Sequence, residues 1–283
     1  MKTVLFEIAG LKVKGYGFMI GIGFLLAIFV GEYRAKKKGM RDESIFDIAI
    51  IAALSGFLGA KLLYVIVSFE DFLKDPLAVI GSSGFVVYGG IIAGVLAGYL
   101  YTRFKKLDFM DYFDLVMPEI AIAQGFGRLG CFLAGCCYGK ETHSWFGVEF
   151  PADSMAPAGI KLIPTQLISA AGDLLIAAIL IILADKVFKK VREQRIQQKD
   201  IMAAEMSEAT EIVPVSKKFG YRAGDIGCMY MWLYGAGRFA IEFLRNDYRG
   251  EIGFMSTSQF ISIFIILAGV IIFMFNRRKT AKG

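Results

Sequence analysis

Residues 124–140 read QGFGRLGCFLAGCCYGK, and this stretch begins inside an apolar run and ends in a polar loop. Arg128 lies within the run, although a charged side chain in hydrocarbon costs about 3 kcal/mol or more. The glycines around it allow close approach of the backbone, either by a neighbouring helix or by a polar head group. An arginine placed beside bare backbone in an apolar segment predicts a binding site for an anion.

The whole chain has the composition of a polytopic membrane protein. It has 283 residues, 56% of them apolar, and a mean hydropathy of +0.55. Its repeated apolar runs have the length of about 20 residues that an α-helix needs to cross a hydrocarbon core. These features predict an all-α fold with one integral membrane domain over residues 1–283. The net charge of +6 lies in short runs between apolar segments, which indicates membrane topology rather than nucleic-acid binding.

The apolar runs predict a bundle of about seven transmembrane helices, with the N-terminus outside and the C-terminus in the cytoplasm. The predicted spans cover residues 16–33, 45–67, 84–101, 109–133, 164–184, 223–244 and 257–275. The basic clusters between them all fall on one side, which the positive-inside rule assigns to the cytoplasm. A basic cytoplasmic loop at about 185–222 is expected to begin as an extension of the fifth helix. Outside loops are expected at about 68–83, 135–163 and 245–255.

Polar side chains inside the predicted spans are candidates for function, because such residues usually face the interior of the bundle. Gln124 lies four residues before Arg128 and therefore on the same helix face. Four residues of the sixth span also share one face, at spacings of four, four and three: Tyr234, Arg238, Glu242 and Arg245.

Two arginines and two tyrosines are predicted to meet at the same depth. At ~1.5 Å per helical residue, Arg128 and Arg238 lie late in helices that start in the cytoplasm. Tyr16 and Tyr88 lie early in helices that start outside. All four therefore converge on the outer half of the bilayer. Guanidinium groups keep their charge and bind phosphate through two parallel hydrogen bonds, so the convergence predicts a site for a lipid phosphate.

Structural interpretations of the same residues stay open. Arg238 and Glu242 also suit an i,i+4 ion pair that neutralises itself. Tyr16 and Tyr88 also suit the aromatic belt of a membrane interface. The glycines of the third span are more typical of helix packing than of ligand contact.

Three cysteines follow Arg128 in the same stretch: Cys131, Cys136 and Cys137. Thiols this close in sequence suggest a metal or redox site. They lack a second pair of ligands at a zinc-site spacing, and adjacent cysteines seldom pair with each other, so small packing residues are the favoured interpretation.

The motifs along the chain resemble those of the bacterial prolipoprotein diacylglyceryl transferase family, over essentially the whole length. The strongest match is the run GRLGCFLAGCCYG at residues 127–139. Supporting matches follow in order: Tyr16-Gly17, GAKLLY at 59–64, YGG at 88–90, PTQL at 164–167, YGAGR at 234–238 with Glu242 and Arg245, and STSQ at 256–259. The order and spacing of these motifs are more specific than any one of them.

The resemblance implies an enzyme of the bacterial plasma membrane. It would transfer the diacylglyceryl group of phosphatidylglycerol to the lipobox cysteine thiol of a preprolipoprotein signal peptide. The products would be a thioether and glycerol 1-phosphate, with no cofactor and no metal. The implied catalytic residues are Arg128, Arg238 and Tyr88. The implied substrate-binding residues are Tyr16, Lys61, Gly89, Gly90, Gln124, Gly139, Tyr234, Glu242 and Arg245.

The chain departs from the family pattern around the path of the thiol proton. Many members carry a histidine at the position of Tyr88, asparagines at Cys131 and Ala134, and tyrosine and glutamate at Ile168 and Ser169. Lys61 stands in place of an arginine. These departures keep a second interpretation open, in which a divergent homologue binds or transports an anionic lipid or solute, or uses a different acceptor.

Overall fold

The chain folds mostly into helices, and the computed structural model describes residues 4–8, 11–204, 222–246, 251–252 and 255–279. Within these ranges the helices are α1 (Gly15–Lys37), α2 (Glu43–Val67), α3 (Phe69–Lys74), α4 (Pro76–Gly81), α5 (Val87–Phe104), α6 (Phe109–Ala134), α7 (Thr165–Ala204), α8 (Asp225–Glu242) and α9 (Thr257–Lys279). The strands are β1 (Val4–Ile8), β2 (Leu11–Lys14), β3 (Val148–Glu149), β4 (Lys161–Leu162), β5 (Glu251–Ile252) and β6 (Met255–Ser256), and they pair consecutively into three antiparallel hairpins.

Within the described residues, four segments are long and apolar enough to cross a membrane: Gly15–Lys37, Glu43–Val67, Thr165–Val187 and Thr257–Arg278. They correspond to the first, second, fifth and seventh predicted spans. The third, fourth and sixth predicted spans coincide with α5, α6 and α8. The count of seven crossings and the orientation of the two termini stay predictions.

The chain divides into two compact units. The first unit comprises Met1–Val30 and Phe113–Gly283, and the second comprises Gly31–Tyr112. The single integral membrane domain expected from the sequence stays a prediction, and the two units are described one at a time.

Small residues hold the second unit together, where α5 lies against α2. A methyl group added at Gly89 would collide with the carbonyl oxygen of Gly59, and one added at Gly90 would lie 2.8 Å from the carbonyl oxygen of Gly56. Only glycine permits such an approach of two helix backbones. Further along, Tyr101 donates a hydrogen bond to the Asp47 carboxylate at 2.5 Å and fastens the same helix pair.

The first unit contains a core built from α6, α7 and α8. Its buried residues are Ala121, Ala177, Leu180, Ala184, Ile226 and Tyr230. The carboxylate of Asp114 in α6 accepts hydrogen bonds from the backbone N–H groups of Gly224 and Gly227, both at 2.7 Å. The first N–H groups of a helix have no partner within it, so this buried carboxylate fixes the start of α8 against α6. The helix α6 continues unbroken past Pro118.

The loop at 135–163 is more structured than the sequence indicates. The hairpin of β3 and β4 closes it, and the side chains of Phe150 and Leu162 form a small buried core with Ala156. The strands have two residues each, which is too short for an alternating pattern to be recognised. This folded loop joins α6 to α7 beside the stretch that carries Arg128.

Candidate functional site

A cavity of about 320 Å³ opens between α6, α7 and α8 of the first unit. Its polar groups come from Arg128 on α6, Asp173 and Ser169 on α7, and Tyr234 and Arg238 on α8. The rest of the wall consists of small or apolar residues: Ile168, Gly172, Ile176, Gly237, Ala240, Ile241 and Leu244. The volume lies at the lower end of ligand pockets and suits a charged head group rather than the acyl chains of a lipid.

Helix periodicity explains why these side chains meet. Tyr234 and Arg238 are four residues apart and project from the same face of α8. Arg128 interacts electrostatically with Tyr234 and Asp173, so α6 and α7 present their charges to that face. Gly172 and Gly237 line the cavity where it is open, because a methyl group added at either would meet nothing within 4 Å.

Arg238 is held in place from two directions. Its Nη1 lies 2.6 Å from Oε2 of Glu242, one turn further along α8. Its Nη2 donates a hydrogen bond to the Ser258 hydroxyl on α9 at 2.7 Å. Arg245 approaches the same Glu242 oxygen, with its Nε at 4.0 Å. The side chains of this arginine–glutamate–arginine group are at most 10% exposed. Water therefore screens their charges only weakly, and the Glu242 carboxylate holds the two guanidinium groups by electrostatic attraction.

The charges around the cavity leave an excess of positive charge. Among the residues that line the cavity, Arg128 and Arg238 are cations and Asp173 is the carboxylic acid, so cationic groups outnumber acidic groups by one. A phosphodiester carries one negative charge. An excess of this size in a buried site favours binding of one such anion.

Gln124 and Tyr234 are connected through a tyrosine that the sequence did not single out. The hydroxyl of Tyr230 donates a hydrogen bond to Oε1 of Gln124 at 2.7 Å. The rings of Tyr230 and Tyr234 stack with centroids 5.5 Å apart and planes 9° apart. Gln124 therefore supports the cavity wall at Tyr234, and it is not among the lining residues.

Gly139 joins the folded loop to the end of α8. Its N–H donates to the carbonyl oxygen of Ile163 at 2.9 Å, and it forms an antiparallel bridge with Arg245. A methyl group here would lie 2.7 Å from the carbonyl oxygen of Ile163 and 2.8 Å from that of Leu244. The position therefore requires glycine for packing, and this packing fixes the backbone at Arg245.

Tyr16 and the three cysteines lie near Arg128. The phenol of Tyr16 interacts electrostatically with Arg128 and with each of the three thiols. The Sγ atoms of Cys131, Cys136 and Cys137 all lie within 4.8 Å of one another. Interaction of the Cys136 thiol with Cys131 and then with Cys137, together with burial, raises the pKa of the Cys136 thiol.

The remaining candidates, Tyr88, Lys61, Gly89 and Gly90, belong to the second unit. Lys61 donates to the Ser82 carbonyl oxygen at 2.7 Å, to the Ser82 hydroxyl at 3.3 Å and to the Gly84 carbonyl oxygen at 3.2 Å. Its ammonium group thus has protein acceptors for all three N–H bonds, and it fastens the segment that precedes α5. Gly89 and Gly90 serve the packing of α5 on α2. Tyr88 lies in the first turn of α5 and is 39% exposed.

Sequence reasoning missed two residues that shape the cavity. Asp173 lines it and interacts electrostatically with both Arg128 and Arg238. An acidic residue in the middle of an apolar span is a recognisable signal, so Asp173 could have been found. Ser258 lies inside a motif that the sequence did identify, but a serine gives no indication that it accepts a hydrogen bond from an arginine on another helix.

Comparison with known proteins follows the same motifs. The model of the family described as prolipoprotein diacylglyceryl transferase matches residues 3–204 and 209–275. The chain is 40% identical over 284 residues to phosphatidylglycerol–prolipoprotein diacylglyceryl transferase 2 of Clostridium perfringens, covering 100% of this chain and 98% of that protein. It is 41% identical to the phosphatidylglycerol–prolipoprotein diacylglyceryl transferase of Clostridium tetani, covering 98% of each chain. It is 32% identical to the corresponding protein of Finegoldia magna, covering 100% of this chain and 99% of that protein.

These matches agree with the apolar helices and confirm the resemblance in the motifs. The protein is a multi-pass membrane protein, and it belongs to the prolipoprotein diacylglyceryl transferase family.

Proposed function

We propose that the protein transfers the diacylglyceryl group of phosphatidylglycerol to the lipobox cysteine thiol of preprolipoproteins. The observation that carries the proposal is the placement of Arg128 and Arg238, from two different helices, on one cavity with a largely apolar wall. Family membership over nearly the whole chain supports the same reaction. The relatives are named for phosphatidylglycerol and prolipoprotein, and the cavity offers what an anionic phospholipid head group requires.

The phosphate is the group that the arginines recognise. A guanidinium group donates two parallel hydrogen bonds to a phosphate, and it stays positively charged at all ordinary pH values. Arg238 is oriented by Glu242 and Ser258, so it is ready to bind without rearrangement.

The transfer forms a carbon–sulfur bond and breaks a carbon–oxygen bond. The acceptor sulfur attacks the glycerol carbon that carries the phosphate in the diacylglyceryl half. The bridging oxygen keeps the electron pair, and glycerol 1-phosphate leaves. Negative charge grows on the departing phosphate, so cations fixed beside it stabilise the transition state more than the ground state. The thiol must also lose its proton, because the thiolate is the nucleophile.

The purified protein tests this proposal in detergent. Phosphatidylglycerol and a lipobox peptide are added, and the mass of the peptide is measured. The expected result is a gain of one diacylglyceryl group, which Arg128→Ala abolishes. Arg103→Ala serves as the matched control, because Arg103 lies exposed at the end of α5 and should leave transfer unchanged. A peptide of unchanged mass, with phosphatidylglycerol bound to intact protein, would refute the transferase and support a binder of anionic lipid.

The membrane arrangement belongs to the same proposal. Seven crossings with the N-terminus outside would place the late residues of α6 and α8 in the outer half of a bacterial plasma membrane. Helices α5 and α8 have 18 residues each, and at 1.5 Å per residue such a helix is about 27 Å long, close to the thickness of the hydrocarbon core. Tyr16 would then contact the head group or the acceptor, and the loop at 185–222 would lie in the cytoplasm. The roles expected for Tyr88 and Lys61 in the second unit stay predictions.

A further inference from the structure

The carboxylate of Asp173 has no role in the transfer as described so far. Its side chain lines the cavity from α7, and the residue is only 7% exposed. Within the residues that the structure describes, this carboxylate forms no hydrogen bond and no ion pair, although it interacts electrostatically with Arg128 and Arg238. A buried polar group without a partner costs free energy. The position therefore predicts a ligand group that donates hydrogen bonds to Asp173.

The polar groups that α7 presents to the cavity are acceptors of hydrogen bonds. Ser169 lies four residues before Asp173 and therefore on the same helix face. Its hydroxyl donates to the carbonyl oxygen of Thr165 at 2.7 Å, so its one hydrogen is used and only its lone pairs remain. An ionised carboxylate likewise accepts and cannot donate. The α7 side of the cavity thus suits a ligand group with O–H or N–H bonds.

The arginines that α6 and α8 present to the same cavity can only donate. The guanidinium groups of Arg128 and Arg238 have no acceptor atoms, and they suit a phosphate. A ligand that satisfies both sets of groups needs a phosphate and, a few bonds away, hydroxyl or ammonium hydrogens. The head group of phosphatidylglycerol has this arrangement, because its terminal glycerol carries two free hydroxyls beyond the phosphate.

Charge favours hydroxyl donors over an ammonium donor at Asp173. The cationic residues that line the cavity outnumber the acidic ones by one. A phosphodiester with hydroxyls has one negative charge and balances this excess, whereas a phosphodiester with an ammonium group has no net charge. An ammonium bound to Asp173 would also be repelled by the two guanidinium groups that interact with this carboxylate, and such repulsion is strong where water is excluded.

We propose that Asp173 selects phosphatidylglycerol among membrane lipids, because its carboxylate accepts hydrogen bonds from the hydroxyls of the head-group glycerol. This inference rests on the transferase function proposed above and assigns recognition of the head group beyond the phosphate. Asp173 is then a specificity-determining residue rather than a catalytic one. A site that hydrogen-bonds a substrate hydroxyl rejects the analogue that lacks it, since the buried polar group is left without a partner.

Phosphatidylpropanol is the lipid that tests this role in the purified full-length protein. It has the same phosphodiester and the same charge as phosphatidylglycerol, but its head group has no hydroxyls. Initial rates of thioether formation on a lipobox peptide give kcat/KM for each lipid. The wild-type protein should prefer phosphatidylglycerol by about 10- to 100-fold, the range expected for hydrogen bonds to a charged group. The preference should lie mainly in KM, because the contact is the same in the ground state and the transition state.

Substitution of Asp173 should remove this preference. Asp173→Ala changes the charge of the cavity alike for both lipids, so the ratio of their kcat/KM values isolates the contact with the hydroxyls. The ratio should fall below about threefold. Asp173→Asn keeps the shape and one acceptor oxygen, so it should give an intermediate ratio and serves as the test if the alanine variant does not fold. Asp71→Ala is the matched control, because Asp71 lies in an exposed ion pair away from the cavity, and it should keep the wild-type ratio.

The selectivity of Asp173 and the transferase function fail in different ways. Equal use of both lipids by the wild-type protein, or equal losses for both lipids in Asp173→Ala, would overturn the selectivity and leave the transferase intact. If neither lipid is transferred, native mass spectrometry of the bound lipids measures the same preference directly. Binding that favours phosphatidylglycerol in the wild-type protein but not in Asp173→Ala would then support the selectivity and contradict the transferase, and equal binding would overturn both.

Discussion

Replacing Arg238 by lysine should impair transfer nearly as much as replacing it by alanine, although lysine keeps the charge. Arg238 uses two nitrogens in two directions, with Nη1 2.6 Å from Glu242 and Nη2 donating to Ser258 at 2.7 Å. Lysine has one nitrogen on a flexible stem. It cannot hold both partners and also present a two-pronged donor to a phosphate.

The size of the effect follows from the lost contacts. A hydrogen bond from a charged group contributes about 1.5–3 kcal/mol, and lysine would give up the bond to Ser258. Removal of one preorganised donor to a developing oxyanion lowers kcat by about 100- to 1,000-fold. The expected loss in kcat/KM for Arg238→Lys is therefore about 100-fold. Alanine should lie within about tenfold of lysine, since both lose the oriented pair of donors.

The measurement is the initial rate of thioether formation on a lipobox peptide, followed by mass spectrometry at several concentrations of phosphatidylglycerol. Arg222→Lys is the control. Arg222 uses a single nitrogen, Nη1, to bond the carbonyl oxygens of Asn276 and Arg277, and one lysine nitrogen can make the same contacts. If Arg238→Lys kept more than about a third of the wild-type kcat/KM, the loss of transition-state stabilisation would be below about 0.7 kcal/mol. That result would refute the requirement for guanidinium geometry.

Two further substitutions separate the cavity from the framework. Gly172→Leu should stop transfer without loss of folded protein, because the leucine side chain would enter the open space of the cavity. Gly21→Leu is the control, because Gly21 also faces open space but does not line the cavity. This variant should stay active in the same mass assay. Asp114→Asn should destabilise the protein by about 1.5–3 kcal/mol, because an amide oxygen cannot replace a carboxylate that accepts from both Gly224 and Gly227. Thermal unfolding in detergent measures this loss, and Asp71→Asn, at an exposed ion pair, should leave the midpoint unchanged.

The helices could be predicted from the sequence because each is a long apolar run. Predicted and observed boundaries of α2 and α6 agree within about two residues, which is as close as such boundaries are defined. The hairpin of β1 and β2 could not be predicted, since its strands have five and four residues. The short helices α3 and α4 lie where a loop at about 68–83 was expected, because a helix of six residues is too short to show a periodic pattern.

The site was predictable where a charge interrupts an apolar segment, and Arg128 and Arg238 do meet at one cavity. What the sequence could not provide was the partner of each residue. Lys61 bonds to Ser82 and Gly84, more than 20 residues away, and Gly139 packs against Leu244. Such contacts depend on how the helices pack, and motif spacing holds no information about packing partners. The roles predicted for these residues in substrate binding therefore stay predictions.

The reaction has two demands, and the first unit offers groups that meet the first of them. Stabilising the leaving phosphate requires fixed cations, and Arg238 is fixed by contacts with Glu242 and with α9. Activating the acceptor requires removal of a proton, because the thiolate is the nucleophile. Arg128 interacts with both the cavity and the thiols. In-line displacement at a carbon needs the nucleophile and the leaving group on opposite sides. With the phosphate bound by Arg128 and Arg238 as proposed, the acceptor thiol would have to reach the glycerol carbon from the side away from these two guanidinium groups.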